Sequence, residues 1–141
     1  MTTIAWDGKT LAADRRVSYD SVSDANTTKI VKTDNGLCGA AGNTSIGAAF
    51  KRWFVHGEEG DPPPLEKNGQ EASAFIIREA GVRLHYDQFG WFQADPGPFA
   101  IGSGWEIAIG AMKSGKSAAE AVQIAAKLDG YTGSDIDVLE L

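Results

Sequence analysis

The residues with the clearest chemical potential stand at the start of the chain. Met1-Thr2 is a pair from which the initiator methionine can be removed, because threonine is small, and removal leaves Thr2 with a free α-amine. An α-amine titrates at about 7.7–8.0, close to the pH at which a general base is useful. In Thr2 it would stand beside the hydroxyl of the same residue, joining nucleophile and base in one group. A second candidate is Gly110-Ala111-Met112-Lys113-Ser114-Gly115-Lys116-Ser117, which fits the phosphate-cradling pattern G-x-x-x-x-G-K-[ST] in full. That chemistry needs a strand before the loop, a helix after it and a sheet that supplies a magnesium-binding acid. What precedes Gly110 reads as a helix, and too little chain follows Ser117 to build such a sheet. The expectation is a turn between two helices, with Gly115 as the break and Ser117 as N-cap.

Other reactive side chains are sparse. Cys38 is the single cysteine, and His56 and His85 have no Cys or His neighbour at metal-ligand spacing. Both histidines are expected to be structural, and no metal or organic cofactor is implied. A net charge of −6 disfavours nucleic acid as a partner, since affinity for phosphate backbones comes mainly from Lys and Arg. No apolar run approaches membrane-spanning length, and the N-terminus lacks a basic segment followed by an apolar one. The expectation is a cytoplasmic protein of one domain over residues 1–141.

The elements that must position these residues follow from periodicity. Thr2–Trp6 and Thr10–Asp14 read as two strands joined at Asp7-Gly8, and Arg15–Asn26 as a polar loop. Thr27–Lys32 is β-branched and strand-like, Asp34-Asn35-Gly36 turns the chain, and Leu37–Ala41 suits a strand buried on both faces. Ile46, Ala49, Phe50, Trp53 and Phe54 form one face of an amphipathic helix. Residues 57–70, acidic and carrying Pro62-Pro63-Pro64, read as an irregular connection. Ala74–Ile77 and Val82–Tyr86 make a hairpin, and short strands follow at Gly90–Phe92 and Pro98–Ile101. Helical patterns run from Gly104 and from the capping box Ser117–Glu120, and residues 135–141 end the chain as a strand. Hairpins dominate, so the fold class is α+β, with two mainly antiparallel sheets stacked between helical layers, a four-layer αββα sandwich.

Laid out in order, several segments resemble one family. Thr2–Ala5, Ala12–Arg16, Lys29–Val31 and Ala41–Asn43 resemble the N-terminal half of proteasome β-subunits and of the bacterial HslV-type peptidase. Ala72–Ile76, Phe99–Gly104 and Asp129–Gly133 resemble later segments of the same N-terminal-nucleophile hydrolases, so only residues 50–70 or so fall outside the likeness. The resemblance implies the Ntn-hydrolase fold and a threonine peptidase acting through an acyl-enzyme. Thr2 would be the nucleophile, Lys29 the lysine that favours its alkoxide, and Asp14 the carboxylate paired with that lysine. The Gly42 N–H would bind the oxyanion, and Ser73, Asp129 and Thr132 would orient the amine and relay its proton. By register, Val17, Ser18, Thr27, Val31, Ala40 and Thr44 would line the substrate site; being mostly small or apolar, they suit uncharged side chains. Implied partners are a peptide or protein substrate, further copies of the chain in a ring-forming homo-oligomer, and an ATP-dependent unfoldase.

Two departures bear on those expectations. Thr132 stands where the family usually has serine, adding a methyl beside the amine. Residues 57–70 stand where the family usually has a second, ring-building helix, which puts the usual double ring in doubt. Two other classes of function stay open at this point: a non-catalytic assembly subunit of the same fold, and a nucleotide-binding module using Lys116.

Overall fold

The computed structural model describes residues 2–19, 22–81 and 83–141. Met1 and Val82, both named above, lie outside the described residues. The first hairpin pairs β1 (Thr3–Trp6) with β2 (Thr10–Asp14). Its turn is organised by Asp7, whose Oδ1 accepts from the amides of Lys9 at 2.9 Å and Thr10 at 2.8 Å. The other oxygen accepts from the Thr10 hydroxyl at 2.7 Å and from the amide of Ala118 at 2.9 Å. Ala118 opens the helix α3 (Ala118–Leu128), where first-turn amides have no partner within the helix. One carboxylate thus closes a hairpin and anchors a helix. Burial raises its pKa, but these donors outweigh that and hold it below the ordinary value.

One sheet has the order β11-β1-β2-β12, with β11 at Phe99–Gly102 and β12 at Ile136–Glu140, all antiparallel. The second runs β10-β9-β8-β6-β5, from Gly90–Ala94 through Arg83–Asp87, Gln70–Ile77 and Gly36–Gly42 to Ile30–Thr33, also antiparallel. Between their inner faces lie Ile4, Trp6, Leu11, Ala13, Ile30, Leu37, Phe75, Ile77 and Phe99. The helix α1 (Thr44–Val55) covers the outer face of the second sheet, setting Phe50 and Phe54 on Cys38, Ala40, Ala74 and Ile76. Full burial of each such phenylalanine contributes about 1.5–3 kcal/mol. α3 and α2 (Trp105–Lys113) cover the first sheet through Ala108, Met112, Ala121 and Val122. The layers are helix, sheet, sheet, helices, as the sequence patterning implies. β6 explains its own composition: Leu37 faces one core and Cys38 and Ala40 the other, so neither side tolerates a polar residue.

Two expectations need correcting. Residues 15–26 do not form a plain loop; β3 (Arg16–Tyr19) and β4 (Val22–Asn26) pair as a two-stranded ribbon. The Thr27 amide donates to the Arg15 carbonyl at 2.8 Å and closes the ribbon's base. The 57–70 connection is irregular for most of its length but ends in β7 (Glu66–Lys67), which pairs with the start of β8.

The phosphate-loop pattern falls as expected on a helix-to-helix turn. Gly110 to Lys113 lie inside α2, Gly115 takes φ +99°, and Ser117 caps α3 with both bonds of a capping box to Glu120. Cys38 is buried and its thiol is pushed up far from reactivity. His85 is sandwiched against Phe92, Phe99 and Phe75, and burial lowers its pKa, with Arg83 adding to the effect. His56 is the C-cap of α1. No described helix is long and apolar enough to cross a membrane.

Candidate active site

Thr2, immediately before β1, is 5% exposed and lies where the end of β6 meets the start of α1. The chain reaches that position because β11 makes room for it. Gly102 in β11 pairs with Thr3 at φ +97°, and a Cβ there would sit 1.7 Å from the Thr2 carbonyl oxygen. A Cβ at Gly104 would sit 2.2 Å from the Thr3 hydroxyl. Only glycine fits either position, and Ser103 stands between them.

At the end of β2, Asp14 is fully buried and accepts four hydrogen bonds from described residues. Oδ1 takes the Thr3 amide at 3.0 Å and the Lys29 ammonium at 2.9 Å. Oδ2 takes the amides of Gly133 at 2.8 Å and Arg16 at 3.3 Å. The carboxylate thereby joins the N-terminal strand, the lysine and two loops. Burial lowers the Lys29 pKa; the charge and hydrogen bond of Asp14 oppose that, and the nearby Arg16 adds to it. Such an ammonium keeps a positive field beside Thr2 yet is closer to neutrality than a solvated lysine.

A second polar chain runs on the other side of the N-terminal strand. Ser103 donates to Asp129 Oδ2 at 2.6 Å, and Thr132 donates to the same oxygen at 2.6 Å. The Thr132 hydroxyl also lies 2.6 Å from that of Thr3. A hydroxyl has one proton to give, and that of Thr132 goes to Asp129, so Thr3 is the donor to Thr132. The order is Thr3 to Thr132 to Asp129, with Ser103 as the second donor. Burial raises the Asp129 pKa, while the bonds from Ser103, Thr132 and the Tyr131 amide outweigh it and hold the carboxyl below its ordinary value.

Gly42 closes β6 at φ +105°, with a would-be Cβ 2.6 Å from the Glu71 carbonyl oxygen. Asn43 follows as N-cap of α1: its side chain accepts from the Ile46 amide at 3.1 Å, and its own amide donates to the Glu71 carbonyl at 2.9 Å. The first turn of α1, the positive end of the helix, lines the same space as Thr2 through Asn43, Thr44 and Ser45. That space is an open cleft of about 800 Å³, lined by Thr2, Arg16, Val17, Gly42, Thr44 and Glu71 among others. A smaller recess of about 20 Å³ shares Thr2, Gly42 and Thr44 with the cleft and runs back to Lys29.

With this geometry in hand, solved structures supply the match. Eukaryotic HslV from Trypanosoma brucei superposes with a TM-score of 0.67 at 20% identity, over 98% of this chain and 97% of its own. Thiobacillus denitrificans BPH does so with a TM-score of 0.70 at 19% identity, over 99% and 97%. The same protein in complex with epoxomicin gives 0.71 at 18% identity, over 99% and 98%. The chain has the Ntn-hydrolase fold. No family model and no curated protein matches the sequence, so the likeness is one of structure.

On this Ntn-hydrolase fold the predicted residues divide. Thr2, Asp14, Lys29 and Gly42 converge at one corner, and Asp129 and Thr132 join them through Thr3. Ser73 does not reach that set. It is exposed and lines a different depression with Ala41, Gly42 and Gly102. The hydroxyl bonded to Asp129 is that of Ser103, whose signal was its setting in Gly102-Ser103-Gly104. Of the substrate positions, Val17, Ser18 and Thr44 line the cleft, and Thr27, Ala40 and Thr44 the recess. Val31 instead packs against the core under α1. Sequence reading also passed over Lys51, which lines the recess although nearly all its neighbours there are small. Thr44, Gly47 and Lys51 fall at i, i+3 and i+7, so a helical wheel of α1 puts them on one face.

Proposed function

We propose that this chain is a member of the proteasome β and HslV-type peptidases and cleaves amide bonds with Thr2 as nucleophile, once removal of Met1 has freed its amine. The observation that carries the reading is the buried Asp14–Lys29 pair at 2.9 Å beside Thr2, at the head of an open cleft. Two buried charges are costly to place unless paired and bonded, and here they support the one residue able to supply both hydroxyl and α-amine.

The Thr2 hydroxyl oxygen attacks the substrate carbonyl carbon, and its proton passes to the Thr2 amine. The Lys29 ammonium favours the alkoxide as it forms and lowers the basicity that would keep the neighbouring amine protonated. Negative charge collecting on the carbonyl oxygen is met by the Gly42 amide at the head of α1. Collapse breaks the C–N bond, the departing amine takes the proton from the Thr2 ammonium, and an ester on Thr2 remains. Water, deprotonated by the same amine, then attacks the ester, releases the acid and restores the hydroxyl. The Thr3–Thr132–Asp129–Ser103 chain holds the N-terminal strand against the loop after α3, so it positions Thr2 without touching substrate.

Cleavage of a fluorogenic peptide amide that Thr2→Ala abolishes while the fold is kept supports this reading; cleavage that Thr2→Ala leaves intact contradicts it. Copies of the chain as partners, an ATP-dependent unfoldase as feeder and a cytoplasmic location go with the family reading and rest on it alone.

A further inference from the structure

The recess behind Thr2 has an unusual electrostatic balance. It is lined by Thr27, Ala40, Thr44 and Gly47 and by two lysines, Lys29 and Lys51. Asp14 is bonded to Lys29. Lys51 makes no salt bridge among the described residues, and its ammonium donates to the Thr28 carbonyl instead. Of the titratable groups that bear on it, Lys29 is a second cation and Cys38 is held as a neutral thiol by its raised pKa. Partial burial lowers the Lys51 pKa, as expected of a half-buried cation with no counter-ion among the described residues.

We propose that Lys51 makes this recess selective for an acidic side chain, aspartate before glutamate, on the substrate residue whose carbonyl Thr2 attacks. The inference rests on Thr2 being the nucleophile, and it replaces the uncharged preference implied by the small residues around it. Size supports the shorter acid. The recess holds about 20 Å³, room for about one water molecule, and its floor is tight, since a Cβ on Gly47 would lie 3.0 Å from that of Ala40. A bulky apolar side chain has no space there and would strand a cation against hydrocarbon. A carboxylate on one methylene instead meets the Lys51 head, whose flexible stem can swing from the Thr28 carbonyl to the incoming anion and enlarge the space as it does so. The acid then supplies the counter-charge that Lys51 lacks among the described residues.

The test uses the full chain with Met1 removed and a series of acetylated tetrapeptide coumarin amides, varied only in the residue before the scissile bond: Asp, Glu, Ala, Leu and Lys. The expected order of kcat/KM places Asp first. Lys51→Met should lower the Asp-to-Ala ratio about tenfold, since it removes one partner of a partly buried charge pair, while Lys51→Arg should keep most of it. Lys51→Gln, which preserves a donor for the Thr28 carbonyl, serves should the methionine variant not fold. A wild-type preference for Ala or Leu, or a ratio that survives loss of the Lys51 charge, overturns the inference while leaving Thr2 catalysis standing. Absence of cleavage of every peptide, with no covalent adduct on Thr2, overturns both.

Discussion

Replacing Asp14 by asparagine keeps the volume of the side chain and removes its charge, which makes it a sharp probe of how the N-terminal strand is held. Lys29 and Asp14 are both almost wholly buried and 2.9 Å apart, and the carboxylate also accepts the amides of Thr3, Arg16 and Gly133. Asparagine offers one oxygen, so at least one amide would face an NH2 group, and the negative charge bonded to Lys29 would be removed. Breaking a buried pair from one side costs about 3–5 kcal/mol, a large share of the roughly 5–15 kcal/mol that stabilises a domain. For a chain of 141 residues the melting temperature should fall by on the order of 10 °C. The loss should also depend on pH in a defined sense. The Lys29 pKa is already below its ordinary 10.5, and without Asp14 it must fall further. Between that folded value and the unfolded 10.5 the unfolded chain binds more protons, so stability rises with pH in this window. Thermal unfolding of Asp14→Asn at pH 7 and pH 9.5 should therefore show partial recovery at the higher value. A variant that loses less than about 1 kcal/mol, with the same pH dependence as the parent, would refute the coupling of Lys29 to Asp14.

Two other substitutions test the approach of β11 to the N-terminus. Gly102→Ala places a Cβ 1.7 Å from the Thr2 carbonyl at a φ of +97°. It should cost more than about 1–3 kcal/mol, read by denaturant unfolding, and should displace Thr2 enough to suppress its reaction with electrophiles. Ser103→Ala removes one of the two hydroxyls bonded to Asp129. It should cost about 1 kcal/mol and raise the Asp129 pKa toward its ordinary value, so that stability on acidification is lost at a higher pH than in the parent; a pH series of melting temperatures checks this.

The layers were legible in the sequence because each strand and helix advertises its buried face. Leu37 to Ala41 is apolar throughout and becomes the strand buried on both sides, and the spacing of Ile46, Phe50, Trp53 and Phe54 becomes the face of α1 on the sheet. The β3–β4 ribbon was hidden because Arg16 to Asn26 is mostly polar, and a ribbon paired outside both main sheets needs little apolar alternation. In the candidate site, Asp14 and Lys29 stand in or beside strands whose order was readable. Ser103 and Ser73 could not be separated that way, since each sits among small residues. What distinguishes them is that β11 pairs with β1 while β8 pairs with β6, a non-local register that local pattern does not carry. Lys51 was hidden for a similar reason. Its helical face was readable, but the neighbour of that face depends on how α1 lies across the sheet.

The central claim, that Thr2 acts as an N-terminal nucleophile, is met most directly by intact mass measurement of the full chain with and without a threonine-directed electrophile such as a peptide epoxyketone. The account predicts a mass lacking Met1, a gain of one electrophile per chain, and no gain in Thr2→Ala. A chain that retains Met1 and takes up no electrophile, or one that is labelled equally with alanine at position 2, would contradict it.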